Sequence, residues 1–235
     1  MRTFCISGAS AGLGLALSKA LLEQGHSVIG VGRDFSKADL DYAHFTALQV
    51  DLADRQALEA MLATHKDELH STTDIVINAG YGQFGSLEEF SNEQIQQLMD
   101  VNFTHQAMLV KALLPSIKSN SGGKILFMGS ESALAGAKFG SIYCASKFAL
   151  RGFAQALRAE CRTQNIAVSI INPGMIASDF FSELSFTHGD AKENAIQIDD
   201  VVEVLLHIIN TPNTMVLDEI NLSPMKTVIV TKGKK

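Results

Sequence analysis

The sequence predicts a single α/β domain built on a doubly wound parallel sheet of about seven strands, with helices on both faces. Short apolar runs alternate with longer segments of helical periodicity along the whole chain, and several of the runs are apolar on consecutive positions. Such strands are typical of parallel sheets that are covered on both faces. No linker rich in Pro, Gly or Ser divides the 235 residues, so we expect one domain over residues 1–235.

Seven short apolar runs are the predicted strands. In chain order they are Thr3–Ile6, Ser27–Val31, Ala47–Val50, Asp74–Ile77, Lys124–Met128, Val168–Ile171 and Thr214–Leu217. After the first run, Leu13, Leu17 and Leu21 share one helical face, and Gly25 stands where a helix-ending glycine belongs. Strand and helix therefore alternate, as parallel strands with right-handed crossovers require.

One long stretch, from Asp179 to Gln197, breaks this alternation. It is longer than the usual connection between two elements, and long loops at strand ends often carry binding residues. We therefore expect residues at about 179–198 to form a substrate-binding loop or lid. The apolar wall expected from it is made of Phe180, Phe181, Leu184 and Phe186, with substrate contacts at the first three. Packing of the phenylalanines onto the sheet, without a ligand, is an equal alternative.

Composition and charge exclude several classes of protein. Hydrophobic residues make up 46% of the chain and charged residues 19%, which argues against disorder. The net charge of -6 argues against a nucleic-acid partner, and no apolar run approaches the roughly 18 residues of a membrane span. The three cysteines form no CxxC pair, and the histidines show no metal-binding spacing. We expect a cytoplasmic protein without metal or membrane, ending in a flexible tail at 232–235.

The first predicted strand runs into a glycine-rich turn, with Gly8, Gly12 and Gly14 inside eight residues. Positions without a Cβ let the backbone approach a ligand closely. The following helix points its free N–H groups and the positive end of its dipole at the same place. A pyrophosphate fits there, although a tight turn without a ligand has the same spacing. Its location at the first strand–helix junction of a doubly wound sheet favours dinucleotide binding.

Tyr143 and Lys147 are four residues apart, so on a helix the phenol and the ammonium lie on one face. A tyrosine with a pKa near 10 is a poor acid at neutral pH, and we expect the neighbouring cation to lower this pKa. Such a pair is common by chance. Ser130, however, follows the run Lys124–Met128, where the ligand crevice of a parallel sheet opens. Its hydroxyl can hydrogen-bond a substrate carbonyl, which makes catalysis the better interpretation.

Together these patterns resemble the compact, single-domain branch of the short-chain dehydrogenases/reductases. The resemblance covers essentially the whole chain. It is carried by Gly-x-x-x-Gly-x-Gly, Asn-Ala-Gly after the fourth strand, Ser130, Tyr-x-x-x-Lys, and Pro-Gly-x-x-x-Ser after the sixth strand. It implies a Rossmann fold and an oxidoreductase in which Tyr143 is the general acid/base. Lys147 would lower the Tyr143 pKa, Ser130 would steady the carbonyl oxygen, and Asn102 would support a proton-relay water.

The resemblance also implies cofactor contacts at the strand ends. They are Gly8, Ser10, Ala11, Gly12, Leu13 and Gly14 in the first turn, Arg33, Asp51, Leu52, Asn78, Ala79 and Gly80 after the next three strands, Tyr143, Lys147, Pro173, Gly174, Ile176 and Ser178. Two of these assignments, and the role of Asn102, have alternatives in the sequence. Asp51 is also a candidate helix cap, as is Asn102, and Arg33 is also a candidate partner of Asp34.

The expected cofactor is NADP(H) rather than NAD(H). Position 32 is glycine, so the acid that would hydrogen-bond the ribose 2′-OH is absent, and Arg33 can pair with a 2′-phosphate. Ala11 stands where the family often has a second basic residue, which weakens this preference. The substrate contacts are expected to include Ser130 and Tyr143.

The predicted function is NADP(H)-dependent interconversion of a small carbonyl compound and its alcohol. The alternative is a non-catalytic NADP(H) sensor or interaction protein, which would need only the cofactor half of the site. The chemistry of the larger epimerase and dehydratase branch is disfavoured by the glycine spacing. The helices predicted at 101–117 and 143–162 resemble those that form subunit interfaces in relatives, so we expect a homodimer or homotetramer.

Overall fold

The computed structural model describes residues 1–232. Its strands are β1 (Thr3–Ser7), β2 (Ser27–Gly32), β3 (Phe45–Gln49), β4 (Asp74–Ile77), β5 (Gly123–Met128), β6 (Ile166–Pro173), β7 (Phe186–His188), β8 (Glu219–Leu222) and β9 (Ile229–Thr231). Its α-helices are α1 (Gly12–Glu23), α2 (Arg55–Thr64), α3 (Lys66–His70), α4 (Asn92–Met99), α5 (His105–Ser119), α6 (Ser141–Cys161) and α7 (Ile198–Ile209). Strand and helix alternate as the sequence predicts.

Seven of the strands form one sheet in the order β3-β2-β1-β4-β5-β6-β8, and every neighbouring pair is parallel. The chain runs outward from β1 to β3 and returns at β4, beside β1. This reversal places a crevice beyond the carboxyl ends of β1 and β4, where doubly wound sheets bind ligands. The predicted doubly wound, single-domain Rossmann fold is confirmed.

Helices cover both faces of the sheet, which explains the continuous apolar runs. Cys5 packs into the layer formed with α2, α3, α5 and α6. Its neighbours Phe4 and Ile6 pack into the layer formed with α1 and α7. Consecutive residues of a strand point to opposite faces, so each face needs its own apolar residues. None of the helices within residues 1–232 is long and apolar enough to cross a membrane.

The last strand of the large sheet is not where the sequence predicts it. The run Thr214–Leu217 lies outside the strands, with Met215 47% and Val216 41% exposed. The strand is Glu219–Leu222, whose polar residues have specific partners. Arg151 Nε donates to Glu219 Oε1 at 2.7 Å, and Asn172 Nδ2 donates to the Asn221 side chain at 2.9 Å. Because this half-buried edge strand contains polar residues, it does not form a continuous apolar run in the sequence.

The long connection at 179–198 is more ordered than a loop. It holds two short 3₁₀ turns and β7, and β7 pairs antiparallel with β9 from the end of the chain. Lys232, predicted to begin a flexible tail, is held in place. Its backbone N–H donates to Ser185 O at 2.7 Å, and its ammonium donates to the carbonyls of Phe181 and Ser182. The rest of the predicted tail lies outside the described residues.

Candidate active site

A cleft of about 1280 Å³ opens along the carboxyl ends of the parallel strands. It is lined by almost every site residue that the sequence predicts, in two groups. The first is Gly8, Ser10, Ala11, Gly12, Leu13, Arg33, Asp51, Leu52, Asn78, Ala79 and Gly80. The second is Ser130, Tyr143, Lys147, Pro173, Gly174, Ile176, Ser178, Phe180 and Phe181. Gly14, Asn102 and Leu184 do not line the cleft.

The glycine turn packs too tightly to accept side chains at two positions. Gly8 has φ +70°, and a Cβ there would lie 2.9 Å from the Ala79 Cα. A Cβ on Gly14 would lie 2.1 Å from the Gly8 carbonyl oxygen, far inside contact distance. Gly14 is therefore needed for the packing of α1 beneath the turn, while Gly8 lies in the cleft wall.

Ser7, where the family usually has threonine, fixes the turn to β4. Its hydroxyl oxygen accepts hydrogen bonds from the backbone N–H groups of Asn78 and Ala79, at 3.0 and 3.1 Å. The same hydroxyl donates to Gln106 Oε1 at 2.9 Å. Asn78 adds two more bonds between these segments, because its side-chain amide donates to the carbonyls of Ser7 and Gly8. One buried hydroxyl thus ties together β1, β4 and α5.

The structure separates the two alternatives left open for Asp51 and Arg33. The cap of α2 is Asp54, whose side chain accepts from Ala57 N at 3.0 Å, and Asp51 lines the cleft instead. Arg33 is exposed in the cleft wall and, within the described chain, forms no ion pair. Asp34 accepts from Ser36 N rather than from Arg33.

Asn102 lies in a π-helical segment, Asp100–Thr104, between α4 and α5. π-bulges of this kind are frequent at functional sites. The Asn102 side chain is fully buried. Its Oδ1 accepts from Tyr81 N, and its Nδ2 donates to Tyr81 O, each at 3.0 Å. Nδ2 also donates to Ser146 Oγ at 3.1 Å, so Asn102 links the chain after β4 to α6 rather than capping a helix.

Ser130, Tyr143 and Lys147 come together at the end of β5. Tyr143 and Lys147 lie one turn apart on α6, with the ammonium 5.9 Å from the centre of the Tyr143 ring. Lys147 Nζ donates to the Met128 carbonyl at 3.0 Å. Ser130 Oγ accepts from Ser132 N at 3.1 Å and lies near enough to the Tyr143 phenol to lower its pKa. All three side chains are buried, so their protonation states are set by the protein more than by water.

The pKa of Tyr143 is raised rather than lowered, in contrast to the lowered pKa that the sequence predicts. Burial raises the pKa of Tyr143 to about 12, against a smaller lowering by the nearby Ser130 hydroxyl. Burial also lowers the pKa of Lys147 to about 8. Both changes have one cause, because a dry site disfavours the charged form of either group. The sequence shows the pair but not the degree of its burial.

The end of the cleft away from the glycine turn, around Tyr143, has an aromatic wall that the sequence predicts only in part. The Tyr143 ring lies 5.0 Å from the Phe84 ring and 6.1 Å from the Phe180 ring, between centroids. Phe84 in turn meets Phe186 of β7 at 5.0 Å. Ile229 and Thr231 of β9 also line the cleft. The β-branched run from Thr227 to Thr231 is the one sequence signal for this strand.

Comparisons with known proteins agree with this geometry. A family model described as short chain dehydrogenase matches residues 2–188. Retinol dehydrogenase 8 of Homo sapiens is 34% identical over 195 residues, which cover 78% of this chain and 61% of that protein. A probable short-chain type dehydrogenase/reductase, VdlC of Helicobacter pylori, is 32% identical over 197 residues, covering 83% and 72%. The chain thus spans about three fifths of the length of the retinol dehydrogenase that it matches.

Solved structures share the fold at lower identity. Serine dehydrogenase from Escherichia coli superposes with a TM-score of 0.80 at 24% identity, covering 94% of this chain and 97% of that one. A 4-hydroxyisoleucine dehydrogenase complexed with NADH gives 0.84 at 22% identity, covering 95% and 98%. The family match shows that this chain belongs to the short-chain dehydrogenases, a family of oxidoreductases.

Proposed function

We propose that this chain is an NADP(H)-dependent oxidoreductase that interconverts a small carbonyl compound and its alcohol, with Tyr143 as the general acid/base. The observation that carries the proposal is the meeting of Ser130, Tyr143 and Lys147 at one end of a cleft. The other end of the same cleft is the glycine turn with Arg33. A non-catalytic nucleotide sensor would need only that second end.

The residues present fit a dinucleotide. Gly12 has φ +53° and lines the cleft, and a Cβ there would meet no protein atom within 4 Å, so the backbone of the turn faces open space. The turn from Gly8 to Leu13 would hold the pyrophosphate, and Asp51 and Leu52 the adenosine. The segments Asn78–Gly80 and Pro173–Ser178 would hold the nicotinamide half. When bound, this cofactor supplies a hydride to the carbonyl carbon or accepts one from the alcohol.

Arg33 supports the preference for NADP(H). Its guanidinium is exposed at the end of β2 and unpaired within residues 1–232, so it is available to a 2′-phosphate. The neighbouring position 32 is glycine, so it carries no carboxylate that would repel such a phosphate. The preference for NADP(H) over NAD(H) is therefore part of the proposal.

The protein groups would handle the proton of the reaction. With its pKa raised to about 12, Tyr143 holds its proton at neutral pH, which is the form needed to donate to the oxygen of a carbonyl being reduced. The Ser130 hydroxyl, which lies near the same phenol, would donate to that oxygen and orient it. The Lys147 ammonium would stabilise the phenolate that remains. Asn102 would act through the position of Tyr81 and α6, and the relay water stays a prediction.

We also propose that the protein is a cytoplasmic homodimer or homotetramer. Its three cysteines are buried and free, as expected in a reducing compartment. The outer faces of α5 and α6 form a groove with an apolar floor that includes Met108, Leu114 and Leu157, edged by Lys111 and Glu160. The opposite charges on its edges suit a second copy of the same face. Light scattering after size exclusion would test this, because a monomeric mass would contradict it.

The function is tested by mixing the purified protein with NADPH and a panel of small aldehydes, ketones and keto acids. Loss of reduced-nicotinamide absorbance with at least one carbonyl, faster with NADPH than with NADH, is the expected result. Tight NADPH binding without turnover on the whole panel would favour the sensor. Absence of nucleotide binding would contradict both functions.

A further inference from the structure

Glu131 places a carboxylate beside the reacting groups. It directly follows Ser130 and begins the 3₁₀ turn Glu131–Ala133 after β5, and it lines the cleft. Its Oε2 lies 3.0 Å from the position that a Cβ would take on Gly174. Its charge is also one of the smaller causes that raise the pKa of Tyr143.

This carboxylate has no protein partner within the described residues, since no side-chain hydrogen bond and no ion pair reaches it. Glu131 is exposed and lines the cleft, so its carboxylate is open to a ligand there. The neighbouring protein atoms remove some of its water and thereby raise the pKa of its carboxyl, because a charge with less water and no counter-ion is disfavoured. A cation brought by a ligand would relieve this cost.

None of the ammonium groups near this end of the cleft forms an ion pair with Glu131 within the described residues. The Lys138 ammonium lies 4.9 Å from the centre of the Phe139 ring, and Lys147 donates to the Met128 carbonyl. The Lys232 ammonium donates to the carbonyls of Phe181 and Ser182. The Glu131 carboxylate therefore stays available to a cation that a ligand brings.

Aromatic rings complete a receptor for an organic cation. Phe84, Phe180 and Phe186 line the cleft around Tyr143, and the faces of aromatic rings attract ammonium groups. We propose that Glu131 makes this site selective for carbonyl or alcohol substrates that carry an ammonium group close to the reacting carbon. The inference rests on the proposed oxidoreductase function and adds the class of substrate.

Two ketones of nearly equal shape test it. Acetonyltrimethylammonium carries a fixed positive charge next to the carbonyl, and methyl neopentyl ketone replaces its nitrogen by carbon. The ratio of kcat/KM for the cation to kcat/KM for the neutral ketone is measured for the native protein, for Glu131→Gln and for Glu183→Gln. Glu183 is an exposed carboxylate that does not line the cleft. Differences in the intrinsic reactivity of the two ketones cancel between variants.

We expect Glu131→Gln to lower this ratio about tenfold or more, mainly through KM of the cation, and Glu183→Gln to leave it within about twofold. An unchanged ratio in Glu131→Gln overturns the inference even if both ketones are reduced. Such a result leaves the proposed function standing, provided that reduction of the neutral ketone depends on Tyr143.

If neither ketone is reduced, calorimetric binding of acetonyltrimethylammonium to the protein still decides the matter. Weaker binding to Glu131→Gln than to the native protein supports the cation site, whereas equal binding overturns it. Failure of turnover on the wider panel of carbonyls would be a separate failure, that of the proposed function.

Discussion

The two ends of the cleft are built in different ways. The glycine end is made of backbone that the sheet brings together, as where the Ser7 hydroxyl binds the N–H groups of Asn78 and Ala79. The aromatic end is made of side chains from segments far apart in sequence, including Phe84, Phe186 of β7 and Ile229 of β9. Topology alone positions the first end, while the second depends on how particular side chains pack.

This difference predicts two kinds of response to substitution. At the glycine end an added atom meets backbone that cannot move aside. At the aromatic end side chains can adjust, so changes there should be graded and should affect the carbonyl substrate more than the nucleotide.

Gly14→Ala should abolish nucleotide binding. The new Cβ would lie 2.1 Å from the Gly8 carbonyl oxygen, so α1 and the turn must separate. We expect a loss of stability of about 3 kcal/mol or more, measured by chemical unfolding. The matched control is Gly152→Ala on α6, where a Cβ meets nothing within 4 Å. Unchanged NADPH affinity in Gly14→Ala would show that the turn is not the rigid end of the cleft.

Lys147→Met should separate activity from stability. Turnover should fall on the order of 10² or more, while the ligand-free protein becomes about 1 kcal/mol more stable at neutral pH. The reason is that burial lowers the pKa of Lys147 from 10.5 to about 8, so folding at neutral pH includes the cost of a buried ammonium.

The pH dependence of that difference follows from the same shift. Below about pH 8 the cost is fully present, and between about 8 and 10.5 the unfolded chain binds more protons at this lysine than the folded protein does. The native protein should therefore gain stability relative to Lys147→Met as the pH rises through this window. Lys66→Met, at an exposed lysine on α3, should show no such trend.

Arg33→Ala should change the choice of cofactor without affecting the reaction. We expect the ratio of kcat/KM for NADPH to that for NADH to fall about tenfold, with the NADH value little changed. Arg162→Ala, at an exposed arginine that does not line the cleft, is the control. A fall of equal size for both nucleotides would mean that Arg33 does not contact the 2′-phosphate.

Lys232→Met should give the smallest effect, confined to the aromatic end. Its ammonium fastens the end of the chain to the Phe181 and Ser182 carbonyls, and β9 carries the cleft residues Ile229 and Thr231. We expect KM for the carbonyl to rise about threefold, with nucleotide affinity unchanged. Lys192→Met, at an exposed lysine of the same loop, should change neither quantity. A change in nucleotide affinity would contradict the separation of the two ends.

The sequence predicts the cofactor half of the site better than the substrate half. The glycines and the strand-end residues can be recognised in the sequence, because each directly follows a predicted strand and its place in the sheet is set by that strand. The edge strand β8 was missed because Glu219 and Asn221 are polar, and β9 because its partner β7 lies about 40 residues earlier. Of the predicted substrate contacts Phe180, Phe181 and Leu184, the two phenylalanines in the 3₁₀ turn line the cleft and Leu184 does not.

The raised pKa of Tyr143 also depends on packing that the sequence does not show. The spacing of Tyr143 and Lys147 correctly places both groups on one face of α6. How far each is removed from water depends on Phe84, Phe180 and the end of β5, which only the folded chain brings together. Spacing predicts proximity, whereas the charge state follows from burial.

The most direct test of the account is Tyr143→Phe, studied for nucleotide binding and turnover in the same preparation. The variant keeps the ring that packs between Phe84 and Phe180 and loses only the hydroxyl. We predict that NADPH binds within about threefold of its native affinity while reduction of the best carbonyl slows on the order of 10² or more. Turnover within tenfold of the native rate would show that the proton comes from elsewhere.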